Sequence, residues 1–275
     1  MEQNNPLKNY FRRPALYLKL PSGGVGYPKE SLDLPENGEI PVFPMTAIDE
    51  ITSRTPDALF NGVAVIEIIK SCIPNIKNPW DVLQTDLDAI LLAIKIASNG
   101  AKMEVDTTCP ECKEASKYDI NLSGLLAGLS PGDYNIPLKL DELTIKFHAS
   151  KYSTINQAST KQFEVQRALA IIQTMDDTPE RDKASGDLIH QMNIMTLDLI
   201  VDSIEYIKTP DSMVFEKEFI REYLQNCDIK SYETIRDKAI ELKKSTETKP
   251  LEFSCIHCHH EYEQQFNINV SDFFG

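Results

Sequence analysis

Four of the six cysteines in this 275-residue chain fall into two C-x-x-C pairs, Cys109-Pro110-Glu111-Cys112 and Cys255-Ile256-His257-Cys258. Two cysteines separated by two residues can turn both sulfurs into one tight bend and occupy two vertices of a tetrahedron. A second bend supplies the other two, each about 2.3 Å from a metal ion. Four thiolates close the coordination sphere and leave no position for water, so the pattern predicts a structural Zn2+ rather than a catalytic one. His257, His259 and His260 crowd the second pair, which leaves open the replacement of one sulfur by an imidazole. A thioredoxin-like redox pair also stays open, although it needs one C-x-x-C at a helix start after a buried strand. Cys72 and Cys227 lie in apolar helical contexts and read as buried thiols.

The elements around the two pairs repeat. Met103-Glu104-Val105 precedes the first and Tyr118-Asp119-Ile120-Asn121-Leu122 follows it; Leu251-Glu252-Phe253 precedes the second and Phe266-Asn267-Ile268-Asn269-Val270 follows. Each set alternates apolar and polar residues as a strand does, with a cysteine knuckle between. Two such hairpins make a zinc ribbon, here a discontinuous one, because residues 113–254 separate the knuckles. Closing so long a loop costs roughly 4 kcal/mol beyond a constant, against an apparent ~10 to 16 kcal/mol from structural zinc in small peptides. The fold class expected is therefore α+β, mainly α-helical, with a helical domain inserted into a four-cysteine ribbon of two β-hairpins.

Periodicity fills in the organisation. Residues 1–45 read as an irregular arm with short strands, and the glycines near Gly23 lack the spacing of a phosphate loop. Residues 46–100 read as helical: Thr55-Pro56-Asp57 is a start signal, 63–71 is apolar on nearly all sides and hence buried, and a long helix runs from Asn78 to Gly100. Its stripe is Leu83, Leu87, Ile90, Ile94 and Ala97, with Trp80 as a core anchor. The ribbon halves are residues 101–125 and 250–275, residues 124–132 a turn region, 135–148 a strand hairpin, and 152–245 a helical domain. In that domain Val165, Leu169 and Ile172, then Leu197, Ile200, Ile204 and Ile207, then Tyr232, Ile235, Ala239 and Leu242 mark successive helices, with Thr209-Pro210-Asp211 as a further helix start. Residues 243–250 read as a linker.

Composition excludes several function classes. With 28 Lys+Arg against 42 Asp+Glu, the net charge of −14 disfavours docking on nucleic acid or an anionic membrane, both of which need clustered cations. No apolar run is long enough to span a bilayer, and the residues after Met1 carry no secretory pattern, which predicts cytosolic manufacture and reduced thiols. His148 and His190 are isolated, the pairs Asp86/Asp88 and Asp176/Asp177 read as solvated faces, and no hydrolase, zinc-protease or phosphate-loop motif occurs. The expectation is a protein without enzymatic activity.

Four stretches carry a family resemblance: Val42-Phe43-Pro44-Met45-Thr46-Ala47-Ile48-Asp49-Glu50-Ile51, the segment from Thr55 to Gly62, the helix from Asp86 to Ser98, and Cys109-Pro110-Glu111-Cys112. In this order they resemble the baseplate hub subunits and hub assembly proteins of T4-like contractile-tailed bacteriophages. The resemblance implies a non-enzymatic structural or assembly protein of the tail baseplate, binding hub, wedge or tail-tube proteins. It would reside in the virion tail, or in the host cytoplasm during assembly. Phe43, Met45, Ile48 and Phe60, with Ile51 and Leu59, supply more apolar side chains than a short loop and helix usually need. They are candidates for a partner surface or, alternatively, a cap on the core; Phe273 and Phe274 are a second candidate docking pair. The competing reading is a cellular zinc-ribbon adaptor, against which the acidic knuckle loops (Glu111, Glu114, Glu261, Glu263) argue if its partner is nucleic acid.

Overall fold

Helices and short antiparallel strand pairs share the chain. The computed structural model describes residues 6–55, 62–174, 176, 178–266 and 268. Its elements are β1 (Leu16–Lys19), β2 (Glu39–Val42), α1 (Ala47–Ser53), α2 (Val63–Cys72), α3 (Gln84–Asn99), β3 (Lys102–Thr108), β4 (Ala115–Asn121), α4 (Leu122–Ala127), β5 (Leu138–Leu140), β6 (Leu143–Phe147), α5 (Tyr152–Gln173), α6 (Pro179–Ser203), β7 (Ile204–Lys208), β8 (Met213–Val214), α7 (Lys217–Asn226), α8 (Ile229–Ser245), β9 (Leu251–Ser254) and β10 (Glu261–Gln264). The class is α+β, as the sequence implies. Two compact units divide the chain: Met1–Pro79, Asp86–Leu129 and Glu247–Gly275 form the first, Trp80–Thr85 and Ser130–Thr246 the second.

In the first unit β1 pairs antiparallel with β2, Leu18 opposite Ile40, and both side chains are buried. α2 buries Ala64, Val65, Ile66, Ile68, Ile69 and Cys72, and the run Ala89 to Ile94 in α3 is buried throughout. Such all-round burial marks core helices rather than amphipathic ones. Gly100 stops α3 in the left-handed region at φ 88°, where a Cβ is disfavoured. Two polar clusters pin irregular segments to this core. Asp86 is fully buried, not solvated as its sequence context suggests, and accepts bonds from Ser22 N at 2.8 Å, Ser22 Oγ at 2.6 Å and Tyr27 Oη at 2.9 Å. Burial lifts its carboxyl above the ordinary value against the pull of those bonds. Arg12 donates to Ser71 O at 2.7 Å, Ser71 Oγ at 2.8 Å and Asp49 Oδ2 at 3.3 Å, while Asp49 also closes the capping box of α1 with Thr46.

The second unit is built on an antiparallel sheet in the order β5-β6-β7-β8. Its core joins Ile145 and Phe147 of β6 to Ile200 and Val201 of α6, Ile204 and Ile207 of β7, Ile220 and Leu224 of α7, and Ile235 and Leu242 of α8. Lys217 Nζ donates to Val201 O at 3.1 Å, Asp202 O at 3.0 Å and Ile204 O at 2.5 Å, adding a donor at the end of α6, where Val201 O also accepts from Ile204 N.

Several local expectations change. The helix expected from Asn78 begins as α3 at Gln84. Tyr152 N bonds Val82 O at 2.7 Å and Gln84 N bonds Ser150 O at 2.9 Å, so the backbone of residues 82–84 is engaged laterally and Pro79–Asp81 forms a 3-10 turn. Half-buried Trp80 stacks on Tyr152 with centroids 5.6 Å apart. The stripe Leu197, Ile200, Ile204, Ile207 is broken at Ser203, because β-branched Ile204 and Ile207 enter β7 and pair with β6. Thr209-Pro210-Asp211 is a turn between β7 and β8, with Thr209 Oγ1 accepting from Asp211 N and Ser212 N, rather than a helix start. Residues 122–127 are helical because the Asn121 side chain caps Ser123 N and Gly124 N. The expected linker is in part the last turn of α8, and Thr246 and Thr248 are buried. Cys227 is half-buried rather than buried. The Thr55-Pro56-Asp57 helix start falls largely on residues outside those described.

Half-buried Asp88 generates a pH prediction. Burial, with the Glu247 charge second, raises its carboxyl to about 6, against about 3.9 when unfolded. Between those values the folded chain holds the extra proton, so this group's stabilisation is complete at low pH and lost as pH rises through about 6. Asp88→Asn should therefore gain of order 1–3 kcal/mol over the wild type at pH 7.5 and converge with it near pH 4, as read by urea unfolding. An equal difference at both pH values would refute the assignment.

Candidate metal centre

The centre is assembled by two hairpins of the first unit. β3 pairs with β4 in the register Val105 opposite Tyr118 and Thr107 opposite Ser116. Alternation turns Met103, Val105 and Thr107 to one face with Ser116, Tyr118 and Ile120, and leaves Glu104, Asp106, Lys117 and Asp119 exposed on the other. β9 pairs with β10 with Phe253 opposite Tyr262 and Glu252 opposite Glu263. The strand that pairs with β9 is thus Glu261–Gln264, and of the alternating stretch expected at 266–270, residues 267, 269 and 270 lie outside the described residues. Within that stretch, described residues 266 and 268 lie outside any strand, and Thr248 Oγ1 donates to Phe266 O at 2.6 Å.

Both knuckles use one set of backbone bonds. Cys109 N donates to Glu114 O at 3.0 Å and Lys113 N to Cys109 O at 3.0 Å; Cys255 N donates to His260 O at 2.9 Å and His259 N to Cys255 O at 2.9 Å. The residue after the second cysteine of each pair is left-handed, Lys113 at φ 63° and His259 at φ 59°. Neither is glycine, so each carries strain that the bonds of the turn hold in place.

The hairpins meet through their inner faces. Tyr118 Oη donates to Ser254 O at 3.0 Å, its ring lies 4.9 Å from that of Phe253, and Phe253 lies 5.8 Å from Tyr262. The Thr107 hydroxyl sits 3.2 Å from Tyr262 Oη and also bonds Gln264 Oε1. Sequence reasoning did not single out these residues; the strand period places them on the cysteine side, but only the register shows which of them touch.

Four sulfurs converge where the knuckles face each other. Cys109 Sγ lies 3.7 Å from Cys258 Sγ, Cys112 Sγ lies 3.6 Å from Cys255 Sγ, and all four lie within 4.8 Å of one another. A tetrahedron with 2.3 Å bonds has edges of roughly 3.8 Å, so these spacings fit one metal ion. The amide of Cys258, with that of His257 at 3.4 Å, holds the Cys255 thiol down at about 6 against burial. At Cys112 the pull of the Glu114 amide is outweighed by burial and three neighbouring sulfurs, which push it up to about 12. Among the described residues this is the one group of three or more His, Cys, Asp or Glu side chains close enough to hold a metal, and it contains no histidine. The His260 ring instead stacks near Tyr262, centroids 6.4 Å apart.

The other candidate residues are scattered. Ile48 and Ile51 on α1 are 75% and 69% exposed. Phe43 and Met45 are half-buried, with the Arg12 guanidinium 5.9 Å above the Phe43 ring and Ser98 Oγ accepting from Met45 N at 2.8 Å. Phe60, Phe273 and Phe274 lie outside the described residues. Cys72 is buried against Asp49 and Arg12, and burial pushes its thiol up to about 12, far from a reactive thiolate. His148 is half-buried beside Ala149 O, and His190 is exposed on α6.

Residues 28–275 match the family model described as T4 bacteriophage base plate protein. No curated protein and no solved structure matches the chain.

The left-handed positions make a local test. Glycine at Lys113 or His259 should leave the hairpins intact, whereas Lys113→Val or His259→Val should cost about 1–2 kcal/mol each, measured by chemical unfolding. Equal stability of the Val and Gly variants would count against the knuckle geometry.

Proposed function

The chain belongs to the T4 bacteriophage base plate protein family, and from that premise we propose that it is a non-enzymatic structural or assembly protein of the baseplate hub, stapled by a structural Zn2+. Membership implies a place in the virion tail and contact with other baseplate proteins. It does not favour a cellular adaptor. Among the described residues no helix is long and apolar enough to cross a membrane.

The observation that carries the zinc reading is the convergence of Cys109, Cys112, Cys255 and Cys258 within 4.8 Å. Four soft thiolates suit zinc, a closed site offers no place for a substrate, and the metal would contribute folding energy rather than chemistry. In this reading residues 101–125 and 250–275 are the ribbon halves that hold the ends of an insertion. That insertion carries the strand hairpin 135–148 and the helical domain 152–245. The arm 1–45 and the helical region 46–100 complete the chain. Contact with hub, wedge or tail-tube proteins falls to the exposed side of α1, Ile48 and Ile51, with half-buried Phe43 and Met45 at its base and Phe60, Phe273 and Phe274 completing the set. The net charge of −14 keeps DNA out of the partner list. The protein is made in the host cytoplasm before it joins the tail.

Three measurements test this. Elemental analysis of purified protein should find about one zinc and no iron per chain, and Cys109→Ser or Cys258→Ser should weaken zinc at least about tenfold, the lower end of what losing even an outer-shell partner costs. The triple variant His257→Asn, His259→Asn, His260→Asn should keep it. A chain without bound metal, or one whose zinc depends on the histidines, would overturn the four-cysteine assignment. Deleting the gene should block tail assembly. Normal tails in its absence would sink the baseplate role, and mass spectrometry of purified particles separates a resident subunit from a factor that leaves.

A further inference from the structure

We propose that the two halves of the ribbon are unequal: the β3–β4 hairpin is a preformed half-site, whereas β9–β10 takes its ribbon form only when a metal joins the two knuckles. This rests on the zinc reading above and adds to it a conditional C-terminal element.

Length gives the first argument. β3 and β4 pair over seven residues each, β9 and β10 over four, and an isolated two-stranded hairpin is marginal in water even when long. Anchoring gives the second. β3–β4 is tied down at its base, where Ile120 is buried, Leu122 is fully buried, and Leu122 N bonds Ala101 O at 2.8 Å. Cysteines aside, β9–β10 buries only Phe253 among its strand residues, and its contacts with Tyr118 and Thr107 belong to the same sulfur-centred interface.

Charge gives the third. On the outer face of β3–β4, Glu104 stands opposite Asp119, but Lys117, directly opposite Asp106 and diagonal to Glu104, pairs with Glu104 at 2.6 Å and Asp106 at 3.9 Å. On the outer face of β9–β10, Glu252 stands directly opposite Glu263 with Glu261 beside them, all exposed. Among the described residues no basic side chain forms an ion pair with these three. Like charges directly opposite destabilise a strand pair. The left-handed turns at Lys113 and His259 weigh on both hairpins alike, so length, anchoring and charge set them apart. At its open end β9–β10 is closed by Thr248 Oγ1 donating to Phe266 O at 2.6 Å and Gln265 Nε2 donating to Thr248 O at 2.7 Å, bonds within the C-terminal segment itself.

Hydrogen exchange with mass spectrometry on the full chain tests this, comparing the zinc-loaded protein with the same protein after chelation and with Cys258→Ser. Chelation should speed exchange of the amides in β9–β10 by about 100-fold or more and those in β3–β4 by less than about threefold, as for separate local opening units. Glu263→Lys, which places a cation directly opposite Glu252, should slow metal-free exchange in β9–β10 by about two- to fivefold. Equal opening of both hairpins, or persistence of β9–β10 protection without metal, overturns the inference. Metal analysis of the same sample separates the two failures. Bound zinc with equal opening defeats this inference alone, and absence of zinc defeats the metal reading, with β9–β10 protection in that chain deciding the inference as well.

Discussion

Four sulfurs from turns at opposite ends of a long insertion must reach one small volume, and the first unit is arranged around that convergence. The backbone bonds of the two knuckles repeat, as does the left-handed residue that closes each. Identical turns present two sulfurs each in one geometry, so two of them facing each other generate a near-tetrahedral set without further adjustment. The inner faces of the hairpins then have little freedom. The rings of Tyr118, Phe253 and Tyr262 meet at tilted angles between the hairpins because a strand period of two carries them to the cysteine side.

The same unit spends polar groups on fastening irregular chain to helices. Asp86 holds the turn containing Ser22 and Tyr27 against α3, and Arg12 with Asp49 joins the N-terminal residues to α1 and α2. A buried carboxylate is costly unless its oxygens are satisfied, and here both Asp86 oxygens have donors. Removing the donors would leave the charge buried and unpaired, the more expensive state.

The second unit obeys different physics. Its core is a sheet face covered by α6, α7 and α8, and nothing in it depends on a metal ligand. Much of α5 and α6 stays outside that core, with Phe163, Ile171 and Ile189 more than half exposed. Their apolar residues mark the helices but do not fix how far the core reaches. The Ile204 stripe shows why a helix period can mislead. Residues four and seven apart look alike in a helix and at a helix-to-strand junction, and only the open edge of β6 decides between them.

The sequence by itself determined the sulfur pairs, their hairpin setting, the α+β class and the buried character of α2, because these rest on spacing or periodicity along the chain, and it carried the family resemblance in four stretches between Val42 and Cys112. The one-sided stripe read in α3 did not foretell its burial on nearly all sides. Nor did the sequence reveal that Asp86 is buried, that the second ribbon strand is Glu261–Gln264, or that Tyr118 and Thr107 bridge the hairpins. The bridges made by Tyr118 and Thr107 depend on partners more than a hundred residues away and the burial of Asp86 on a loop that precedes it by some sixty, while the choice of Glu261–Gln264 depends on its register with Leu251–Ser254. Local propensity carries no term for such partners. Only the tertiary structure, by setting registers and excluding water, decides which side chains meet.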